Sequence, residues 1–438
     1  MIDRKYILAL IVGVVLGAAI GLCSSVLADK DASTSVPFDE LRAFSEVFGR
    51  IQKDYVEHVP DKKLIEDAIR GMLTGLDPHS SYLNSEQYEE LRVGTTGRFG
   101  GLGIEVGMEN GFVKVIAPID DTPASAAGVK AGDLIIRLDE QPVKGMTLGD
   151  AVKIMRGEPG TDIVLTIVRE GEDKPFKLTI TRDIIKIRSV KNKLLEPGYG
   201  YLRISSFQSS TGKQLRNAVS KMIDENKGML KGIVLDLRNN PGGVLNAAVE
   251  VSDAFLKDGL IVFTDGRIKN SEMKFKATPD DILNGKPIVV LINAGSASAS
   301  EIVAGALQDH GRAIIMGERS FGKGSVQTIL PTSNGGAIKL TTARYYTPSG
   351  HSIQAEGIEP DIELSRFRLE ALERSPLDPV KEANLSRHLE NGKKAKKSKT
   401  KDTDKDEQSA AMLKDYALSE ALNLLKGINI MQAHQTGK

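Results

Sequence analysis

Four short runs of β-branched and aliphatic residues constrain this chain more than any other feature: YGYLRISSF (199–207), GIVLDLRNNPGGV (232–244), KPIVVLINAGS (286–296) and AIIMGE (313–318). Each is too short for a buried helix and rich in residues that fit a pleated surface. Between them lie helical stretches such as Gln214–Asn226 and Leu245–Leu256. Strand runs alternating with helices predict an α/β core over residues 186–365.

The rest of the chain differs in character. Arg4 and Lys5 precede an apolar run from Tyr6 to about Leu22, with small residues up to Ala28. Residues 1–28 therefore read as an export signal or an N-terminal membrane anchor, so the bulk of the chain is expected to work outside the cytoplasm, in the periplasm or facing it. In the helical region 37–95, the apolar positions Leu41, Phe44, Phe48, Ile51 and Tyr55 step by three and four. They form a narrow seam, suited to packing within its own domain or to a homo-oligomer contact. From Gly97 to about residue 184 the pattern is many short strands and two short helices, one capped by Thr147 and carrying Leu148, Val152 and Met155 on one face. That is a small β-rich module. Residues 366–407 read as a solvated linker, partly disordered and lysine-rich, and 408–430 as a last helix ending near Gly427.

Composition excludes some chemistry. Lys plus Arg number 58 and Asp plus Glu 58, so no net basic charge favours nucleic acid. The lone cysteine, Cys23, lies in the apolar N-terminal run, which removes disulfides and cysteine-ligated zinc from the remainder.

The chemistry concentrates at NAGSASASEIVAGAL (293–307), where Ser296, Ser298 and Ser300 occupy a strand-to-helix corner. Ser298 precedes Glu301 by three, a capping-box pattern, so one reading is a helix cap. The other reading is a nucleophile beside free helix N-terminal amides, with the Ala299 N–H as an oxyanion donor. A serine needs a base. His310 sits too far along the same helix, and His58, His79, His351, His388 and His434 have no motif around them. Lys323, between Gly322 and Gly324, is the alternative base if burial lowers its pKa; otherwise it is a solvated loop lysine. Gln327, four residues on, points the same way on an extended segment. The glycine turn LRNNPGGV (237–244) is either a plain β-turn or the source of a second oxyanion amide, from Gly243 or from Gly242.

These segments, together with GLDPHSSYL (75–83), GLGI (101–104), GERSFGKGSVQ (317–327) and ARYYTPSGHSI (343–353), resemble the C-terminal processing peptidases, or tail-specific proteases, over nearly the whole exported chain. The resemblance implies a multidomain α/β fold with an inserted PDZ domain at 97–184. It implies serine endopeptidase activity through a Ser–Lys dyad without a cofactor or metal: Ser298 as nucleophile, Lys323 as base, Gln327 as its orienting partner, and oxyanion amides from Ala299 and Gly243. The PDZ module would take protein C-terminal tails at Gly101, Leu102, Gly103 and Ile104 and against Leu148 and Val152. An adaptor or activator protein is the further partner it implies. The alternative expectation is a non-catalytic or tightly inhibited PDZ scaffold.

Overall fold

The computed structural model describes residues 37–268, 272–364 and 415–436, so the expected export segment and lysine-rich linker lie outside the described residues. The chain divides into two compact units, Met1–Met72 and Leu73–Lys438.

The first unit holds α1 (Phe38–Asp54) and most of α2 (Asp61–Thr74). Asp39 and Glu40 in the first turn of α1 and Lys53 in its last complement the helix dipole. None of the residues of α1 is buried; Phe38, Leu41, Phe44, Val47 and Ile51 are exposed.

The second unit opens with β1 (Ser81–Leu83) and α3 (Ser85–Thr96). The expected helical region 37–95 spans the boundary between the two units. GLDPHSSYL is no mere turn, because β1 pairs with a distant strand of the core, Tyr82 opposite Ile338. Then follow β2 (Arg98–Gly101), β3 (Ile104–Glu109), β4 (Phe112–Pro118), α4 (Pro123–Ala126), β5 (Leu134–Leu138), β6 (Gln141–Pro142), α5 (Leu148–Met155), β7 (Asp162–Val168), β8 (Phe176–Thr181) and β9 (Asp183–Lys186). Their sheet runs β3-β4-β5-β7-β8, which leaves β3 on an edge. Alternate residues Val113 and Val115, Ile163, Leu165 and Ile167 point into a core of the module's own. Entry and exit pair as a two-stranded stalk, Arg98 opposite Lys186 and Gly101 opposite Asp183.

The α/β core comprises β10 (Val190–Glu196), β11 (Tyr199–Ile204), α6 (Thr211–Glu225), β12 (Gly232–Asp236), α7 (Leu245–Asp253), β13 (Leu260–Gly266), β14 (Lys274–Lys276), β15 (Ile288–Ile292), α8 (Ala299–Asp309), β16 (Ile314–Gly317), β17 (Ser325–Pro331), β18 (Ala337–Tyr346), β19 (Ile362–Glu363) and α9 (Tyr416–Thr436). The six-stranded sheet runs β10-β11-β12-β15-β16-β19, parallel from β11 onward. Both its faces are covered, which is why its strands read as unbroken apolar runs. Ile233, Leu235, Ile288, Val290 and Ile292 face α6, α7 and α8, whereas Val234, Val289 and Leu291 pack on Leu418, Ala421, Leu422 and Leu425 of α9.

Helix α9 does not stop at Gly427. A glycine costs about 1 kcal/mol in a helix, and contacts around it offset that. Lys426 pairs with Glu196 at 2.6 Å, and Asn429 donates to the Lys231 carbonyl at 3.2 Å.

Candidate active site

Strand β15 delivers the chain to a corner whose three serines have different tasks. Ser296 Oγ donates to the Leu237 carbonyl (2.9 Å) and accepts from the Asn293 N–H (3.0 Å). Ser300 Oγ donates to the Asn240 carbonyl (2.9 Å), which also takes the Ala297 N–H (3.0 Å). Both flanking hydroxyls, wholly buried, thus bolt the corner to the 237–243 loop. Ser298 lies between them at φ 55°, ψ −111°, a conformation that costs a non-glycine residue on the order of 1–3 kcal/mol. Its bolted neighbours hold it there.

The acid of the expected capping box does more than cap. Glu301, fully buried, accepts the Ser298 N–H at 2.6 Å on Oε2. The same oxygen accepts the Lys323 N–H at 2.9 Å, while Oε1 takes the Ser320 hydroxyl and the Gly322 N–H, each at 2.6 Å. One carboxylate therefore ties the start of α8 to the loop before β17. This contact brings the backbones of Ser298 and Lys323 together.

Lys323 Nζ donates to Gln327 Oε1 at 2.5 Å and to the Ser325 carbonyl at 3.4 Å. Burial, reinforced by the like charge of Lys339 and opposed by Glu301 and Asp77, pulls its pKa down to about 8. The solvated-loop reading does not describe this residue. Among the described residues no hydrogen bond joins the Ser298 hydroxyl to the Lys323 amine.

Two backbone amides at the corner are unspent among the described residues, those of Ala299 and Gly243. The neighbouring Gly242 N–H is taken by Asn240 Oδ1 at 2.9 Å. Gly242, at φ 100°, presses on the corner so closely that a Cβ there would lie 2.7 Å from the Ala297 carbonyl and 2.9 Å from Ser298 Cβ. A Cβ on Gly243, at φ 145°, would collide with the Phe207 carbonyl. Both positions require glycine.

In the β-rich module, Leu102 is buried and Gly103, at φ 80°, packs against Thr122. The carbonyls of Leu102 and Gly103 are occupied, by the Ala124 N–H (2.9 Å) and the Ile119 N–H (2.8 Å), whereas the amides of Leu102 and Gly103 make no bond among the described residues. Gly101 ends the stalk, and Ile104 begins the free edge of β3. Leu148 and Val152 of α5 are half-buried on the same core as Ile104.

Two features of the site carry no local signal in the sequence. His79, with no motif around it, has its pKa lowered by burial and then by the nearby Lys323 charge, so its turn lies beside that lysine. Arg238, at the start of the 238–243 loop, pairs bidentately with Asp236 and with Asp415 at the N-terminus of α9. Burial would lower the Arg238 pKa, but these two carboxylates raise it. Nothing local in either segment signals a partner so distant in the chain. His310, by contrast, is the C-cap of α8, at the end far from Ser298, and its ring nitrogen bonds the Leu260 carbonyl (2.7 Å).

Comparison with known proteins accords with this architecture. Residues 198–364 match the model of peptidase family S41, 100–180 the PDZ domain, and 22–87 the activating protease CtpB N-terminal domain. A carboxy-terminal-processing protease of Bartonella bacilliformis is 48% identical over 97% of this chain and 96% of the relative. The carboxy-terminal processing protease CtpA of Bacillus subtilis is 36% identical over 77% of this chain and 72% of its own length. A solved photosystem II D1 C-terminal processing protease is 32% identical, with 74% of this chain and 93% of that one covered and a TM-score of 0.42. With near-complete coverage by the first relative, an S41 core and an inserted PDZ domain, the chain belongs to the carboxy-terminal-processing proteases, serine-type peptidases of family S41.

Proposed function

We propose that this protease cleaves protein tails outside the cytoplasm through a Ser298–Lys323 dyad. The observation that carries the reading is the buried Glu301 carboxylate, which grips the amides of both residues. Neutral Lys323 takes the Ser298 proton as Oγ attacks the scissile carbonyl. The amides of Ala299 and Gly243 receive the oxyanion, and the lysine then passes its proton to the leaving amine. Water repeats the sequence on the acyl-enzyme. Gln327 keeps the amine aimed. A pKa of about 8 leaves a usable neutral fraction near neutral pH, so the rate climbs with pH through that value. The hydroxyl and amine, which share no hydrogen bond among the described residues, close on each other when substrate or an activator protein engages the PDZ domain.

Tails add as a strand to the free edge of β3, their carboxylate in the amides of Leu102 and Gly103 and their side chains against Leu148 and Val152. Segment 1–28 exports the chain or anchors it in the inner membrane, facing the periplasm, and the exposed seam of α1 joins copies. Ser298→Ala is expected to abolish cleavage of an unfolded protein while tail-peptide affinity stays unchanged. Persistent cleavage by this variant would remove Ser298 from the mechanism. Unchanged sedimentation of a Phe44→Asp, Phe48→Asp double variant would remove the seam as the oligomer contact.

A further inference from the structure

Behind Gln327 a directed row of hydrogen bonds leaves the site and ends at Asp77. Lys323 Nζ donates to Gln327 Oε1 (2.5 Å), Gln327 Nε2 donates to Thr341 Oγ1 (3.3 Å), and Thr341 Oγ1 donates to Asp77 Oδ1 (3.1 Å). Each direction is forced by chemistry. An ionised carboxylate can only accept, so the single proton of Thr341 goes to Asp77 and its lone pairs face the glutamine. Gln327 Nε2 also donates to Ser325 Oγ (2.8 Å), so both its protons point away from the lysine and its oxygen must face the amine. A flipped amide would set N–H groups against the lysine N–H groups.

Asp77 is itself held firmly. Its Oδ1 accepts the N–H groups of His79 (2.8 Å) and Ser80 (2.9 Å), and its Oδ2 the Ser80 hydroxyl (2.6 Å). Ser80 Oγ also lies 3.4 Å from Thr341 Oγ1, but it has one proton, and the shorter bond to a charged acceptor wins. The Thr341 N–H returns to Ser80 Oγ (3.1 Å), closing the joint between the turn and β18.

We propose that Asp77 and Thr341 are positioning residues for proton transfer: through the Thr341 hydroxyl, Asp77 fixes the Gln327 amide, which aims the Lys323 lone pair. The inference rests on Lys323 being the base. With two N–H bonds spent on Gln327 and Ser325, a neutral amine keeps one lone pair, and its direction is set. The charged and titratable groups facing Lys323 are Lys339 on β18, Glu301 on α8, and Asp77 and His79 on the turn before β1. Among them Glu301 and Asp77 favour the protonated lysine, so neutralising Asp77 shifts the acid limb of the rate profile to lower pH.

The test measures cleavage of a reduced, alkylated protein by the full chain from about pH 6 to about pH 10. Thr341→Val, which alters no charge and leaves the other bonds to Asp77 in place, is expected to lower kcat roughly ten-fold with KM unchanged. Thr341→Ser, which restores the hydroxyl, recovers most of that loss. Asp77→Asn lowers kcat and moves the acid limb to lower pH, a displacement that mere loosening of a turn would not give. Wild-type kcat in Thr341→Val together with a wild-type pH profile in Asp77→Asn would overturn the proposal. Lys323→Ala is run alongside: if inactive, such a result sinks only this inference, whereas an active Lys323→Ala sinks the dyad itself.

Discussion

Helices α5 and α8 begin with the same signal, a hydroxyl residue followed three positions later by an acid, and put it to opposite uses. At α5, Thr147 has ordinary extended torsions, φ −77° and ψ 160°, and exchanges bonds with Asp150: the Asp150 N–H to Thr147 Oγ1 and the Thr147 N–H to Asp150 Oδ2, both 3.2 Å. The pair is exposed, and Thr147 holds the Asp150 carboxyl below its usual range. At α8 the serine is at φ 55°, and the acid is buried with four donors, three of them from the loop 320–323. Where water can replace a partner, a capping box stays local. Once water is excluded, an unpaired donor costs the full desolvation penalty, so the acid becomes the point on which distant segments assemble.

Substitutions at matched positions test this contrast. The largest effect is expected at Glu301→Gln, which offers one oxygen to four donors and turns an NH2 towards them. Unfolding by urea should show a loss of about 3 kcal/mol, with cleavage abolished; a loss below about 1 kcal/mol would erase the distinction from a surface cap.

Gly242→Ala comes next, at about 2 kcal/mol lost, since a Cβ at φ 100° meets Ala297 and Ser298. Its counterpart Gly149→Ala, in the first turn of α5, has only Thr147 Oγ1 within reach, at 3.7 Å, and should gain up to about 1 kcal/mol from helix propensity. Thermal melts of both variants check the opposite signs.

Lys323→Met should be inactive yet more stable by about 1 kcal/mol, a value reduced for partial solvent access. The sign follows from the lowered folded-state pKa, about 8 against 10.5 unfolded: the buried charge destabilises below pH 8, and wild-type stability rises between those values. The variant should lack that rise in pH-dependent denaturation. Smallest is Thr147→Ala, a loss of about 1 kcal/mol or less in thermal melts, confined to the PDZ domain.

Much of this protein was legible from local pattern. The unbroken apolar runs are the sheet strands, and Thr147 caps α5 where the sequence expects it. Ser298 stands at a strand-to-helix corner, and the glycine-flanked Lys323 is four residues from Gln327. Such signals survive in sequence because side-chain periodicity and capping involve neighbours within one turn or one pleat. What the tertiary structure alone decided concerns partners far apart in the chain. It spent the Gly242 amide on Asn240 and, among the described residues, left that of Gly243 without a bond. It carried α9 past Gly427 and turned GLDPHSSYL into a strand and a turn beside the lysine. It also made Glu301 the clasp of the site, because which donors share a buried carboxylate depends on the path of the whole chain.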